Sequence, residues 1–187
     1  GTEDQNGKPP DLEAMKHLLE EVNKFCLKNN FPFPLFVVAQ TGTRVEEMRN
    51  VGYFESTSSN NINQTEITRL NKQAAKLATN YSCFLKEHNA DYLSSPLLAM
   101  RPHIGIKATN VAPEFGVAET KSLVQLMRII GCHDELAQFQ NIVLESRRWE
   151  KWMTPGSNAS KEEKVFIGGH YSFSHPLSLF IFHESPP

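Results

Sequence analysis

Two rhythms of apolar residues alternate along the chain. Leu12, Met15, Leu18, Leu19, Val22, Phe25 and Cys26 recur every three or four positions, the period of a helix that opens at Pro9-Pro10-Asp11 and ends near Asn29-Asn30. Residues 34–39 are instead an unbroken apolar run, as expected of a short strand buried on both faces. The helical rhythm returns over 65–80, where Ile67, Leu70, Ala74, Leu77 and Ala78 are assigned inward and Asn71, Lys72, Gln73 and Lys76 outward. A second strand over 83–88 follows directly. A short helix over 94–100, with Pro96 in its first turn, then leads to a third strand over 103–106.

Each of these strands runs into polar residues at its C-terminal end. Gln40, Thr41, Gly42, Thr43 and Arg44 follow the first, Glu87, His88, Asn89, Asp91 and Tyr92 close the second, and Lys107, Thr109 and Asn110 follow the third. Strands alternating with helices in this way predict βαβ units, a parallel sheet, and ligand binding at the strands' C-terminal edge.

The remainder reads as helix. Amphipathic stretches cover 118–130, closed by Gly131, then 134–152 with Trp149 and Trp152 on a core or interface face, and 161–167 after a linker over 154–160. A glycine-led loop is expected over 168–175, ahead of the apolar residues 177–182, and a long polar loop over 44–63. Three strands, or four if residues 1–4 end another, fall short of the eight that close a parallel barrel. An open parallel sheet leaves backbone groups unpaired at its edges. The expected fold is therefore α/β, the C-terminal half of a TIM (β/α)8 barrel with parallel strands and outer helices. Residues 1–153 supply its βα units, and 154–187 form an extension packed on the barrel.

Composition narrows the partners. The 187 residues are 40% apolar and 21% charged, with a formal charge of −2, which gives no basic footprint for nucleic acid and no charge run for a membrane surface. Cys26, Cys83 and Cys132 are widely spaced and odd in number, so they predict buried free thiols rather than a disulfide framework or a zinc knuckle. No apolar stretch approaches the ~18 residues of a bilayer span, and a cytoplasmic location is expected.

The order Gly1-Thr2-Glu3, then Val37-Val38-Ala39-Gln40, then Glu87-His88-Asn89-Ala90-Asp91-Tyr92, then Gly105-Ile106-Lys107 resembles the accessory-subunit family of class II D-tagatose-1,6-bisphosphate aldolases. The likeness covers about residues 1–130. It implies a TIM barrel with Glu3, Gln40, His88, Asp91, Tyr92 and Lys107 at its mouth, and a chain that supports a separate catalytic aldolase subunit. Asn110-Val111-Ala112-Pro113-Glu114-Phe115 departs from the Gly-Pro loop that this family carries after its strand-end lysine.

The residues themselves allow specific chemistry. His88 and Asp91 are close enough in sequence to share one ligand. With Glu3 or Glu87 they form a candidate site for a divalent metal, Zn or Mg/Mn, that would polarise a sugar carbonyl. The same residues read equally as hydrogen-bonding groups that shape their own loop. Lys107 on an apolar strand is a candidate for Schiff-base or base work, for phosphate binding, or for a buried ion pair with Glu87 or Asp91. Alternation allows only one of Lys86 and Glu87 to face a barrel interior, and Glu87 is the one expected there, with His88 at the rim. Arg44 and Arg49 flank a turn and are candidate clamps for a phosphate or sugar carboxylate, although arginines on a polar loop are more often simply solvated. Gln40, Tyr92 and Asn110 complete the expected substrate contacts, and His170 and Tyr171 sit in a loop that is read first as structural and second as able to close over the site.

The expectation is a barrel that binds a sugar or sugar phosphate, in aldolase or epimerase style carbohydrate metabolism, with Glu87, His88, Asp91 and Lys107 as catalytic candidates. The alternative is a non-catalytic accessory subunit that stabilises a partner aldolase. Either reading calls for an N-terminal half-barrel or a second subunit to complete the sheet.

Overall fold

The computed structural model describes residues 7–54 and 61–172. The chain divides into two compact units, Gly1–Val45 with Arg49–Val111, and Glu46–Met48 with Ala112–Pro187.

In the first unit, α1 (Leu12–Asn29) starts where Asp11, in extended backbone, accepts the Ala14 N–H at 2.9 Å, and it stops at Asn30, whose left-handed φ of 54° turns the chain away. Then come β1 (Phe36–Val38), the short strands β2 (Val45–Glu46) and β3 (Arg49–Asn50), α2 (Asn61–Asn80), β4 (Phe84–Glu87), α3 (Ser95–Met100) and β5 (Ile106–Thr109). The fold is α/β. Its sheet has the order β1-β4-β5 with both pairings parallel, Val37 against Leu85 and Leu85 against Ile106.

Alternation sorts the sheet into two faces. On one, Val37, Leu85 and Ile106 join Met15 and Leu19 of α1, Ile67, Ala74 and Ala78 of α2, and Ile104 in a single buried core. Full burial of each larger aliphatic there contributes roughly 1.5–3 kcal/mol. Among the described residues the other face is less covered: Phe36 and Phe84 keep 37% and 42% of their surface in solvent, their ring centroids 6.2 Å apart.

Local chemistry shifts several expected boundaries. The third strand begins at Ile106 rather than 103, because Pro102–Ile104 form a 3-10 turn that Gly105 ends at a φ of 92°. The expected polar loop over 44–63 contains the β2–β3 pair, and α2 begins at Asn61. Gly52 closes this pair against Gly42, where an added Cβ would lie 2.1 Å from the Gly42 carbonyl oxygen, so only glycine fits.

The second unit contains α4 (Pro113–Ile129), α5 (His133–Ser146) and α6 (Lys161–Ser172) around Val124, Leu136, Val143 and Val165. Pro113, suited to a first helical turn, starts α4 five residues earlier than its periodicity indicates. The expected helix over 134–152 breaks at Arg147, which is left-handed at φ 53°, and resumes only as a 3-10 turn over Glu150–Trp152. Gly168 and Gly169 are helical rather than the start of a loop. A Cβ on Gly169 would lie 2.4 Å from Thr120 Cγ2, so the glycines serve close helix packing. Residues 177–182 lie outside the described residues. Among the described residues, no helix is long and apolar enough to cross a membrane.

Candidate functional site

The polar residues that end the strands of the first unit form one connected cluster. At its centre is Glu87, the last residue of β4 and fully buried. Its Oε2 accepts the Thr41 hydroxyl at 2.8 Å, and its Oε1 accepts Arg101 Nε at 2.9 Å and the Thr109 hydroxyl at 3.3 Å. The C-terminal ends of β1, β4 and β5 and the end of α3 thus meet on one carboxylate. Arg101 also donates from Nη1 to the Leu97 carbonyl at 3.2 Å, and its guanidinium lies 4.4 Å from the centre of the Phe54 ring. Asn71, buried on α2, donates to the Thr41 carbonyl at 2.9 Å.

This arrangement reverses the expected facing of two residues. Glu87 shares the helix-covered face with Leu85, while Lys86 pairs with Val38 and Ala108 on the less covered face. The buried ion pair considered for Lys107 is made by Arg101 instead. Lys107 itself is exposed, at the irregularity where the register steps from Ile106 opposite Leu85 to Ala108 opposite Lys86.

The loop after β4 is held in an unusual shape. Asn89 and Tyr92 both have left-handed backbone, at φ 61° and 58°, a conformation that costs of order 1–3 kcal/mol for a residue such as tyrosine. Fixed contacts hold it. Thr43 donates its hydroxyl to the His88 carbonyl at 2.8 Å, and Asn50 Nδ2 donates to the carbonyls of Asn89 and Asp91 at 2.8 and 3.0 Å. Asn50 Oδ1 in turn accepts the backbone N–H groups of Arg44 and Gly52. On the far side, Asn110 donates its N–H to the Glu87 carbonyl and accepts the Ala90 N–H, each at 3.1 Å. Asp91 is buried, and His88 and Tyr92 are half-buried on this clamped turn.

The remaining candidates spread around it. Gln40 is 6% exposed, and its Nε2 is buried without a hydrogen-bond partner. Asn110 is exposed at the end of β5, Arg44 is half-buried just before β2, and Arg49 is exposed in β3. Glu3 lies outside the described residues. Among the described residues, no group of three or more His, Cys, Asp or Glu side chains is placed to hold a metal ion. In the second unit, His170 lies within α6 rather than in a loop, its Nδ1 2.6 Å from Glu119 Oε2, while Tyr171 stacks on Trp152 with ring centroids 5.5 Å apart.

Sequence reading placed Thr41 and Thr43 at a strand end without a role and missed Asn50, Asn71 and Arg101, which together hold the cluster. For Asn71 a signal existed: it falls on the 67-71-74-78 spacing of the buried face of α2, and its polarity alone assigned it outward. No family model matches the chain, and neither the curated proteins nor the solved structures include a match.

Proposed function

We propose that the sheet of the first unit belongs to a (β/α)8-type barrel that binds a sugar or sugar phosphate at the C-terminal ends of its strands, and that the chain acts as an accessory subunit of an aldolase. The observation that carries the reading is the gradient along the less covered face. Phe36 and Phe84 lie at the strands' N-terminal ends, Val38, Lys86 and Ala108 in the middle, and alternation brings Gln40 and His88 next. An apolar floor rising to a polar mouth suits a barrel interior, and parallel sheets are covered on both faces. Lys86, and exposed Lys107 next to its partner Ala108, add positive charge suited to a phosphate group. In this reading Gln40, His88, Tyr92 and Asn110 contact the sugar, with Arg44 and Arg49 on the approach.

The supporting role, rather than catalysis, rests on Glu87. A carboxylate engaged by Arg101 and two threonines on the helix-covered face is a structural tie, and a base must reach the proton that it abstracts.

Calorimetric titration with D-tagatose 1,6-bisphosphate tests the binding, using the natural full-length protein and its Lys107→Ala and Gln40→Ala variants. Saturable binding weakened by both substitutions supports the mouth. Absence of binding, or binding indifferent to both, overturns it. Mixing the protein with a class II aldolase catalytic subunit tests the role: a longer activity half-life for the partner, with no turnover by this chain alone, is expected.

A further inference from the structure

We infer that the first unit holds an internal water molecule, bound between the Arg101 guanidinium and the Asn71 amide. Two buried atoms lead there. A guanidinium carries N–H donors on all three nitrogens and keeps its charge in the folded protein. Arg101 is 3% exposed. Its Nε donates to Glu87 and its Nη1 to the Leu97 carbonyl, while the buried Nη2 has no hydrogen-bond partner among the described residues. Asn71 is fully buried, and its Oδ1 likewise has none. The other atom of that amide fixes its orientation: Nδ2 donates to the Thr41 carbonyl at 2.9 Å, and a flipped amide would set oxygen against oxygen. Nη2 is thus a donor that needs an acceptor, and Oδ1 an acceptor that needs a donor.

The two atoms stand at the ends of one continuous chain. Asn71 holds the Thr41 carbonyl, the Thr41 hydroxyl donates to Glu87 Oε2 at 2.8 Å, and Glu87 Oε1 accepts Arg101 Nε at 2.9 Å. In the planar guanidinium the Nε hydrogen and one Nη2 hydrogen leave along the same edge, so Nη2 points to the side where Nε meets Glu87. Among the described residues Glu87 Oε2 accepts only the Thr41 hydroxyl, and it offers a third bond on that side. A buried water typically makes about three such bonds. Apolar groups seal the place. The Phe54 ring, 1% exposed, lies 4.4 Å from the guanidinium, and Phe54 and Ile67 close together on Gly42, beside Thr41.

The chemistry selects the occupant, which must accept from a cationic N–H and donate to an amide oxygen at once. Water does both. An anion such as chloride has no proton to donate, and a metal ion or an ammonium has no lone pair with which to accept. Glu87 already balances the charge of Arg101, so no further ion is called for. Polar groups left unpaired in an apolar setting are costly, and ordered water is the usual partner of those that protein atoms do not reach. The water ties α2 to the end of α3 and closes into a ring the chain that Thr41 and Glu87 begin. It requires neither a sugar ligand nor a closed barrel.

A crystal structure of the natural full-length protein, at a resolution that places ordered solvent, tests the site. One solvent peak within hydrogen-bond distance of both Arg101 Nη2 and Asn71 Oδ1 is expected. No peak, a peak reaching only one of the two atoms, or a protein group bonded to either overturns the inference. Anomalous signal at the peak marks an ion and also overturns it. The Asn71→Leu variant, close to asparagine in volume, is expected to lose the peak, and a peak that persists there rules out the bridge. Where that variant does not fold, NMR of the wild type gives the second reading. Cross-peaks from water to the Arg101 Nε–H and the Asn71 Nδ2 protons support the site, and their absence overturns it.

Discussion

Arg101 and Glu87 form an ion pair at 2.9 Å in which the two side chains retain 4% and 0% of their exposure. Fourteen residues apart in sequence, they join the end of α3 to the end of β4. Removing one partner of a buried pair strands the other charge, at a cost of about 3–5 kcal/mol, whereas replacing both by apolar groups is often neutral. Arg101→Met is therefore expected to lower unfolding free energy by about that amount, and Arg101→Met with Glu87→Leu to recover most of it. Urea unfolding of the wild type, both single variants and the double variant checks this.

Asn50 holds the turn after β4 with two donated bonds, to Asn89 and Asp91. Asn50→Asp puts carboxylate oxygens against both carbonyls and removes both donors. Each lost bond to a buried acceptor costs about 1–3 kcal/mol. Relaxation of the left-handed backbone at Asn89 and Tyr92 is expected to follow, read as faster amide exchange over residues 89–92 with little change over 106–109.

Burial pushes the Cys83 thiol above its ordinary range. At mildly alkaline pH the folded protein thus holds the thiol proton more tightly than the unfolded chain does. The resulting stability is fully present below the unfolded thiol value of about 8.5 and is lost as pH rises through the folded value. Cys83→Ala is expected to flatten the fall in melting temperature above about pH 8.5. Iodoacetamide labelling followed by mass spectrometry should modify half-buried Cys132 before Cys83.

Gly169 on α6 lies against fully buried Thr120 on α4. Gly169→Ala forces the two helices apart and is expected to destabilise by about 1–3 kcal/mol, as overpacking of a filled core does. Adding Thr120→Ala should recover part of that loss, because the Cγ2 and Oγ1 that meet the new methyl are gone. Thermal unfolding of the three variants measures both effects.

Much of this architecture was legible in the sequence. The period of Leu12, Met15 and Leu19 gives α1, and unbroken apolar runs give β1 and β4, because burial of side chains dictates both patterns. The polar strand ends were legible too, and they do gather at one edge. Facing was not. Glu87 and Lys86 are adjacent, and a one-residue choice of face depends on Arg101, Thr41 and Thr109, three partners at separations that no local rule links. Asn71 was misplaced for the same reason, since a buried amide is satisfied by the Thr41 carbonyl thirty residues away. Helix ends at Arg147 and through Gly168 followed backbone conformation and close packing, which periodicity does not encode.

An amide NMR titration of the natural full-length protein with D-tagatose 1,6-bisphosphate reveals whether ligand binds where the strands end. Saturable shifts concentrated at residues 88–92 and 107–110 are expected, with Phe36 and Phe84 unmoved. Shifts centred on Phe36 and Phe84, or none anywhere at millimolar ligand, would contradict such binding.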